Sequence, residues 1–378
     1  MKKRPFALRL LAHRKIRTAV AISGIAFAVL FMFLQLGFSG ALNETATAVS
    51  SKLRGDLVVT SVKFLHLGQT GSIPRSRLFQ ARALPEVMTA VPLYVRFARW
   101  IGPSSGRRCS MFAIGFPMGG TAPVSFTGLA ELLPALSAPG SIAADLVSQQ
   151  KCGVTSELRS VEVREQARRV IGAYSLGVGF LGDGSLVTSD ETYGQIFQSQ
   201  SLDNIDIGMI TLREGSDLQA VAARLRQVLP PDTLVMTRSE LDGRQVRYWV
   251  EDTAIGNIFR LGTIVGFLVG MMILFQVLST DIRAQLPQYA TMKAMGFANQ
   301  HIYALVLQQS WLFALLGYLP ATLLAMVVYA AAYDATLIPI AMTRTRAISV
   351  LILSLVMCTI SGALSLSRIG RADPAELF

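Results

Sequence analysis

Charge is scarce in this chain. Only 16% of its 378 residues are Asp, Glu, Lys or Arg, against 52% that are hydrophobic, where soluble domains carry about a quarter charged. Clusters that could do chemistry are missing as well. His13, His66 and His301 lie far apart in sequence, and no Cys/His/Asp group surrounds any of them. The three cysteines, Cys109, Cys152 and Cys358, lack metal-ligand spacing. No Gly-x-x-x-x-Gly-Lys-Ser/Thr phosphate loop occurs, so ATP hydrolysis is not expected of this chain. Neither a metal centre nor a catalytic residue is expected.

What is present is unevenly spread. Mean hydropathy is +0.46 and the isoelectric point about 9.9, with a formal net charge of +11. Much of that charge flanks apolar runs. Lys2, Lys3, Arg4, Arg9, Arg14, Lys15 and Arg17 crowd the N-terminus, and no acid precedes Glu44. Retention of positive charge on the cytoplasmic face of a membrane accounts for this, and nucleic acid is not expected as a partner.

Residues 1–17 read as a cytoplasmic amphipathic segment, and 18–40 as a first transmembrane helix. Ala46-Thr47-Ala48 resembles a signal-peptide cleavage site, but the apolar run is long and the site lies too far beyond it. A retained anchor is expected. Residues 41–250 differ in kind, with charges restored and strand-like runs at 56–62, 91–97 and 205–212. Asp217 to Leu229 has helical periodicity, capped by Ser216 or Asp217 and stopped by Pro230-Pro231. With Thr233-Leu234-Val235-Met236 it makes a β-α-β unit, so an α+β periplasmic domain is expected. The uncharged stretch Cys109 to Ala130 is broken by glycine and proline too often for lipid, and reads as a buried strand with loops. Cys109 and Cys152 could pair in an exported domain; two unpaired, buried thiols are the preferred alternative.

Beyond the interfacial pair Tyr248-Trp249, residues 255–280 form a second span. Gly262, Gly266 and Gly270 recur every fourth residue in it, a spacing that lets helices approach closely and that ordinary span glycines also show. Residues 281–301 are a polar interruption that reads as a short cytoplasmic helix. Pro287 suits the first helical position and Gly296 the residue just past the end, followed by Phe297. Tyr289, Met292 and Met295 give it an apolar face beside Lys293, suited to being gripped by a cytoplasmic partner. An interfacial loop that only turns the chain is the alternative. Residues 302–333 exceed one crossing, through tilt, a kink at Pro320 or a start in the interface. A short periplasmic loop at 334–346, a fourth span at 347–367 and a cytoplasmic tail at 368–378 complete the chain. No span holds a buried acid or base in this division, and no inverted repeat is evident, which argues against an ion-coupled carrier.

The whole is therefore an α-helical membrane protein with four transmembrane helices and a large α+β periplasmic domain inserted between the first and second spans. That layout resembles the permease subunits of the MacB/FtsX/LolC group (type VII) of ABC transporters. Tyr289-Ala290-Thr291-Met292-Lys293-Ala294-Met295-Gly296-Phe297 is similar to the YATLKAMGY stretch of DevC-type permeases, with Met292 where leucine is usual. Arg371-Ala372-Asp373-Pro374-Ala375-Glu376 is similar to the group's AxxDPxEAL ending, and Pro5 to Thr18 to its lead into the first span. The resemblance implies a non-catalytic permease homodimer in the bacterial inner membrane, both termini cytoplasmic, surrounded by membrane lipid. A separate ABC ATPase would bind ATP and Mg and seat the helix carrying Pro287, Tyr289, Met292, Lys293, Met295 and Gly296. A periplasmic adaptor (membrane fusion) protein and an outer-membrane channel are the further partners implied, for export of a lipid or other amphiphile. An FtsX-like transmitter, relaying ATPase motion outward without transporting anything, is the alternative.

Overall fold

The computed structural model describes residues 15–198, 201–295 and 298–367. The chain begins in helix α1 (Lys15–Thr47) and passes to strands β1 (Leu57–Ser61) and β2 (Ile73–Pro74), helix α2 (Ser76–Arg82), and strands β3 (Val87–Ile101) and β4 (Arg108–Phe116). Strands β5 (Ser141–Asp145), β6 (Ser160–Val163), β7 (Gln166–Tyr174) and β8 (Gly184–Ser189) lead to helix α3 (Asp190–Ile196). Strands β9 (Asn204–Ile205) and β10 (Ile207–Leu212), helix α4 (Leu218–Val228), strand β11 (Thr233–Thr237) and helix α5 (Arg238–Arg247) follow. The last three helices are α6 (Ala254–Ala294), α7 (Asn299–Thr336) and α8 (Arg344–Ser367).

Four of these helices are long and apolar enough to cross a membrane: α1, α6, α7 and α8. The chain divides into two compact units, one of residues 1–40, 257–332 and 340–378, the other of 41–256 with 333–339. In the first, large apolar side chains stand exposed along the helices, Met272 at 71% and Leu323 at 67% among them. A protein with both faces in water would not leave them so. The interior of this unit is made by Ile25, Val29, Phe33, Leu274, Phe313 and Met357.

The second unit is built on a nine-stranded sheet in the order β11-β1-β10-β3-β4-β8-β5-β7-β6, with β6 also pairing back to β3. That extra pairing closes six of the strands on themselves. Strand β3 is long enough to serve both halves: its first residues pair with β10 up to Leu93, and from Tyr94 it pairs with β4. Strands β10 and β11 both run antiparallel to β1 between them, so they are parallel to each other, joined by α4. Asp217 starts that helix by accepting from the Gln219 and Ala220 amides. Thr237 and Glu240 form a reciprocal capping box at the start of α5.

Strand β4 explains the uncharged stretch after Cys109. Cys109, Met111 and Ala113 point into one core, and Phe112, Ile114 and Phe116 into the other. A strand buried on both faces needs apolar residues at every position. Against the preferred expectation of free thiols, Cys109 and Cys152 form a disulfide. The pairing is set by tertiary structure. The turn at Gln150–Cys152 docks beside the end of β3, where the buried Trp100 indole donates to the Cys152 carbonyl at 2.9 Å. Lys151 next to it holds Asp183 at 2.8 Å.

One buried charge sits where β3 changes partners. Asp206, between β9 and β10 and only 4% exposed, accepts from the Val95 amide at 2.9 Å and the Thr70 hydroxyl at 3.3 Å. The carboxylate thus satisfies an amide of β3 just beyond the start of β10, where their ladder stops at Leu93 and Ile207. Burial pushes its pKa up to about 6, opposed by the Val95 amide, the Arg96 charge and Thr70. A carboxyl with a raised folded pKa holds its proton better folded than unfolded. Its contribution therefore makes stability fall as pH rises from about 4 to about 6, then level off. Asp206→Asn is expected to remove that component and to raise stability above pH 7 by roughly 1–2 kcal/mol. Unfolding midpoints of the two full-length proteins across pH 4–8 check this; parallel curves would contradict it.

Candidate functional site

The spans pack through close backbone approach and a few directed polar contacts. Gly262, Gly266 and Gly270 lie on α6. A β-carbon at Gly262 would press on the Gln35 side chain of α1, and one at Gly266 would lie 2.9 Å from Phe31. One at Gly270 would meet both Ala28 of α1 and Met357 of α8. All three therefore face a neighbouring helix at close range, most tightly at Gly270 against Ala28, while the Gln35 side chain opposite Gly262 can turn aside. From α8, Ser361 donates to the Met271 carbonyl at 2.9 Å, and the Trp311 indole of α7 donates to Thr359 at 3.0 Å. Each such bond gives a hydroxyl a partner where water is absent.

The polar interruption at 281–301 is not a separate helix. Helix α6 runs from Ala254 through position 287 to Ala294 without a break, so Pro287 lies inside it rather than at a helix start. A proline forfeits one hydrogen bond, and a long helix already nucleated by an apolar span absorbs that loss. The segment extends the second span. At its base Ile282 packs with Val306 of α7 and Leu366 of α8, and Gln309 donates to Asp281 at 3.4 Å. Met292 is half-buried and Met295 is 65% exposed. The side chains of Pro287, Tyr289 and Lys293, together with Gly296 and Phe297, lie outside what is described, as do the N-terminal segment before Lys15 and the tail beyond Ser367.

The fourth helix also differs from expectation. It starts at Arg344, taking in residues assigned above to a loop, and Arg346 in its first turn is only 9% exposed. A buried base is therefore present among the spans. Its guanidinium donates to the Ala341 carbonyl and lies 5.7 Å from the ring of Tyr329, buried on α7. The signal in the sequence was the second arginine of Arg344-Thr345-Arg346, directly before the apolar run from Ala347.

Residues 260–374 match the family described as FtsX-like permease C-terminal. Over that stretch the chain is similar to an FtsX-like permease. This FtsX-like region covers α6, α7 and α8 with the turns between them. No curated protein matches the chain significantly. The inserted domain is similar to the periplasmic region of MacB from Actinobacillus actinomycetemcomitans, at 9% identity and a TM-score of 0.36 over 51% of this chain and 92% of that one. It is also similar to the extracellular domain of YknZ, a noncanonic ABC-type transporter from Gram-positive bacteria, at 14% identity and a TM-score of 0.33 over 48% and 99%. Together with the four helices long and apolar enough to cross a membrane, the FtsX-like similarity fits a multi-pass membrane protein.

The glycines give a direct test of the packing. Gly270→Leu is expected to cost ~1–3 kcal/mol by overpacking. Gly243→Ala, in α5 with nothing within 4 Å of a β-carbon, is expected to be neutral or to stabilise by up to about 1 kcal/mol. Apparent unfolding midpoints in detergent would separate the two; equal shifts would contradict the packing role.

Proposed function

We propose that this chain is the permease subunit of an ABC export system. A separate ATPase, binding ATP and Mg, drives movement of the spans, and the inserted α+β domain carries that movement to a lipid or other amphiphilic substrate outside the membrane. An adaptor and an outer-membrane channel complete the export route, and two permease copies flank the ATPase pair. The observation that carries this is the FtsX-like domain on α6, α7 and α8 combined with a large folded domain between the first two spans. Orientation is supported by chemistry. The Cys109–Cys152 bond suits an oxidising compartment, which the cytoplasm is not. The basic N-terminus and Arg283 and Lys293 near the end of α6 suit the cytoplasmic face.

Unbroken helices favour the mechanical side of this proposal. Carriers that pass a substrate between their spans bind it at helices interrupted near the midplane. Here α1, α6, α7 and α8 are each continuous. A relay that moves the exported domain, with or without a transported substrate, uses such rods directly.

The end of α6 is the proposed ATPase contact, with Tyr289, Met292 and Met295 as apolar anchors and Lys293 as the charged one. In membranes of the native host, the wild-type chain is expected to bring its ATPase through purification. Tyr289→Ala with Lys293→Glu is expected to reduce that recovery at least about tenfold, while the Cys109–Cys152 disulfide still forms. Undiminished recovery would remove the coupling role of this segment.

A further inference from the structure

A guanidinium buried among spans needs a reason, because each such charge is costly and is kept where it acts. Arg346 donates to the Ala341 carbonyl and lies over the Tyr329 ring. It also faces α1 at Gly40, where any β-carbon would collide with its Nη2. Tyr329 makes the companion contact. It is 3% exposed, and its hydroxyl donates to the Phe33 carbonyl of α1. It does so through the gap left by Gly37, where a β-carbon would lie 2.5 Å from the hydroxyl oxygen. Two glycines three residues apart share one helix face. Helix α1 thus offers a bare patch of backbone on which a tyrosine from α7 and an arginine from α8 are seated side by side.

We infer that Arg346 and Tyr329 form a clasp that seats α1 against α7 and α8, and that its release is the step by which rearrangement of α7 and α8 reaches α1. The role in transport rests on the permease function proposed above. The physical ground is directionality. Apolar side chains slide over one another with small changes in energy, whereas the Tyr329 hydroxyl bonded to the Phe33 carbonyl of α1, under an Arg346 guanidinium stacked on its ring and held by the Ala341 carbonyl, has one good geometry. The contact is therefore made or broken, giving the two discrete arrangements that a switch requires. Helix α1 is the right element to hold. It continues unbroken past Gly40 to Thr47. The same geometry explains two glycines in a helix that otherwise has no use for their flexibility.

Spin labels at Phe27→Cys on α1 and Leu323→Cys on α7, both exposed positions, report the seating in full-length protein in lipid nanodiscs. Without nucleotide, the parent is expected to give one narrow distance. Arg346→Ala and Gly40→Leu are each expected to add a second distance, shifting the ratio of the two roughly tenfold. Their combination should do no more than either alone, because both break one contact. Tyr329→Phe, which removes the hydroxyl bonded to the Phe33 carbonyl of α1, should shift the ratio the same way at least as far, and Arg346→Lys should recover part of the seated population. A narrow, parental distribution in Arg346→Ala, or additive effects in the double variant, would overturn the clasp. Adding the ATPase with ATP to the parent should populate the second distance. A parent that binds no ATPase would defeat the permease function instead, while the nucleotide-free comparison still decides the clasp.

Discussion

Every structural feature of the membrane unit follows from one constraint: in hydrocarbon, a backbone amide or carbonyl has no water to bond. Helices are the only way for an open chain to satisfy that demand within each crossing. The four helices are accordingly long and unbroken, and α7 continues through Pro320 as α6 does through position 287. With no hydrophobic drive to press helices together, close approach and directed bonds must do so instead. Glycine at 262, 266 and 270 supplies the approach, and Ser361, Thr359 and Tyr318 supply bonds that end on a neighbouring helix or accept from one. The Tyr329 hydroxyl, bonded to the Phe33 carbonyl of α1 beside Gly37, is a further instance.

The inserted domain answers to the opposite solvent. Its strands alternate side chains between two cores, and its one long strand, β3, passes from one group of partners to another at Leu93 and Tyr94. Such a transfer leaves a main-chain amide without a ladder partner, and the Asp206 carboxylate takes it. Keeping a charge 4% exposed for this purpose costs the domain stability near neutral pH. The disulfide acts on the other side of the balance. It joins residues separated by 43 positions and restricts the unfolded chain.

Much of this was legible in the sequence. The four spans, the interposed α+β domain and the β-α-β unit around Asp217 follow from periodicity and from the distribution of charge. The strand after Cys109 was distinguishable from a span because glycine and proline break it. Other features depend on distant residues meeting, and local pattern does not carry them. The Cys109–Cys152 bond needs the turn at Gln150–Cys152 to dock beside Trp100, and the closure of β6 on β3 needs the whole ring of strands. Pro287 illustrates a different limit. Its preference for a first turn is a local rule, and the momentum of a long apolar helix overrides it. Arg346 was assigned to a loop because charge ordinarily marks the end of a span. Glycines on α1 and a ring on α7 allow it inside, and neither is near it in sequence.

Span parity is decisive for the proposed function, which needs the domain after α1 and the polar end of α6 on opposite faces of one bilayer. Single cysteines at Glu214, exposed in the inserted domain, and at Lys293 decide it by labelling intact spheroplasts with a membrane-impermeant maleimide. The Glu214→Cys protein is expected to react at once, and the Lys293→Cys protein only after the membrane is opened. Labelling of position 293 from outside, with position 214 protected, would contradict the topology and the function drawn from it.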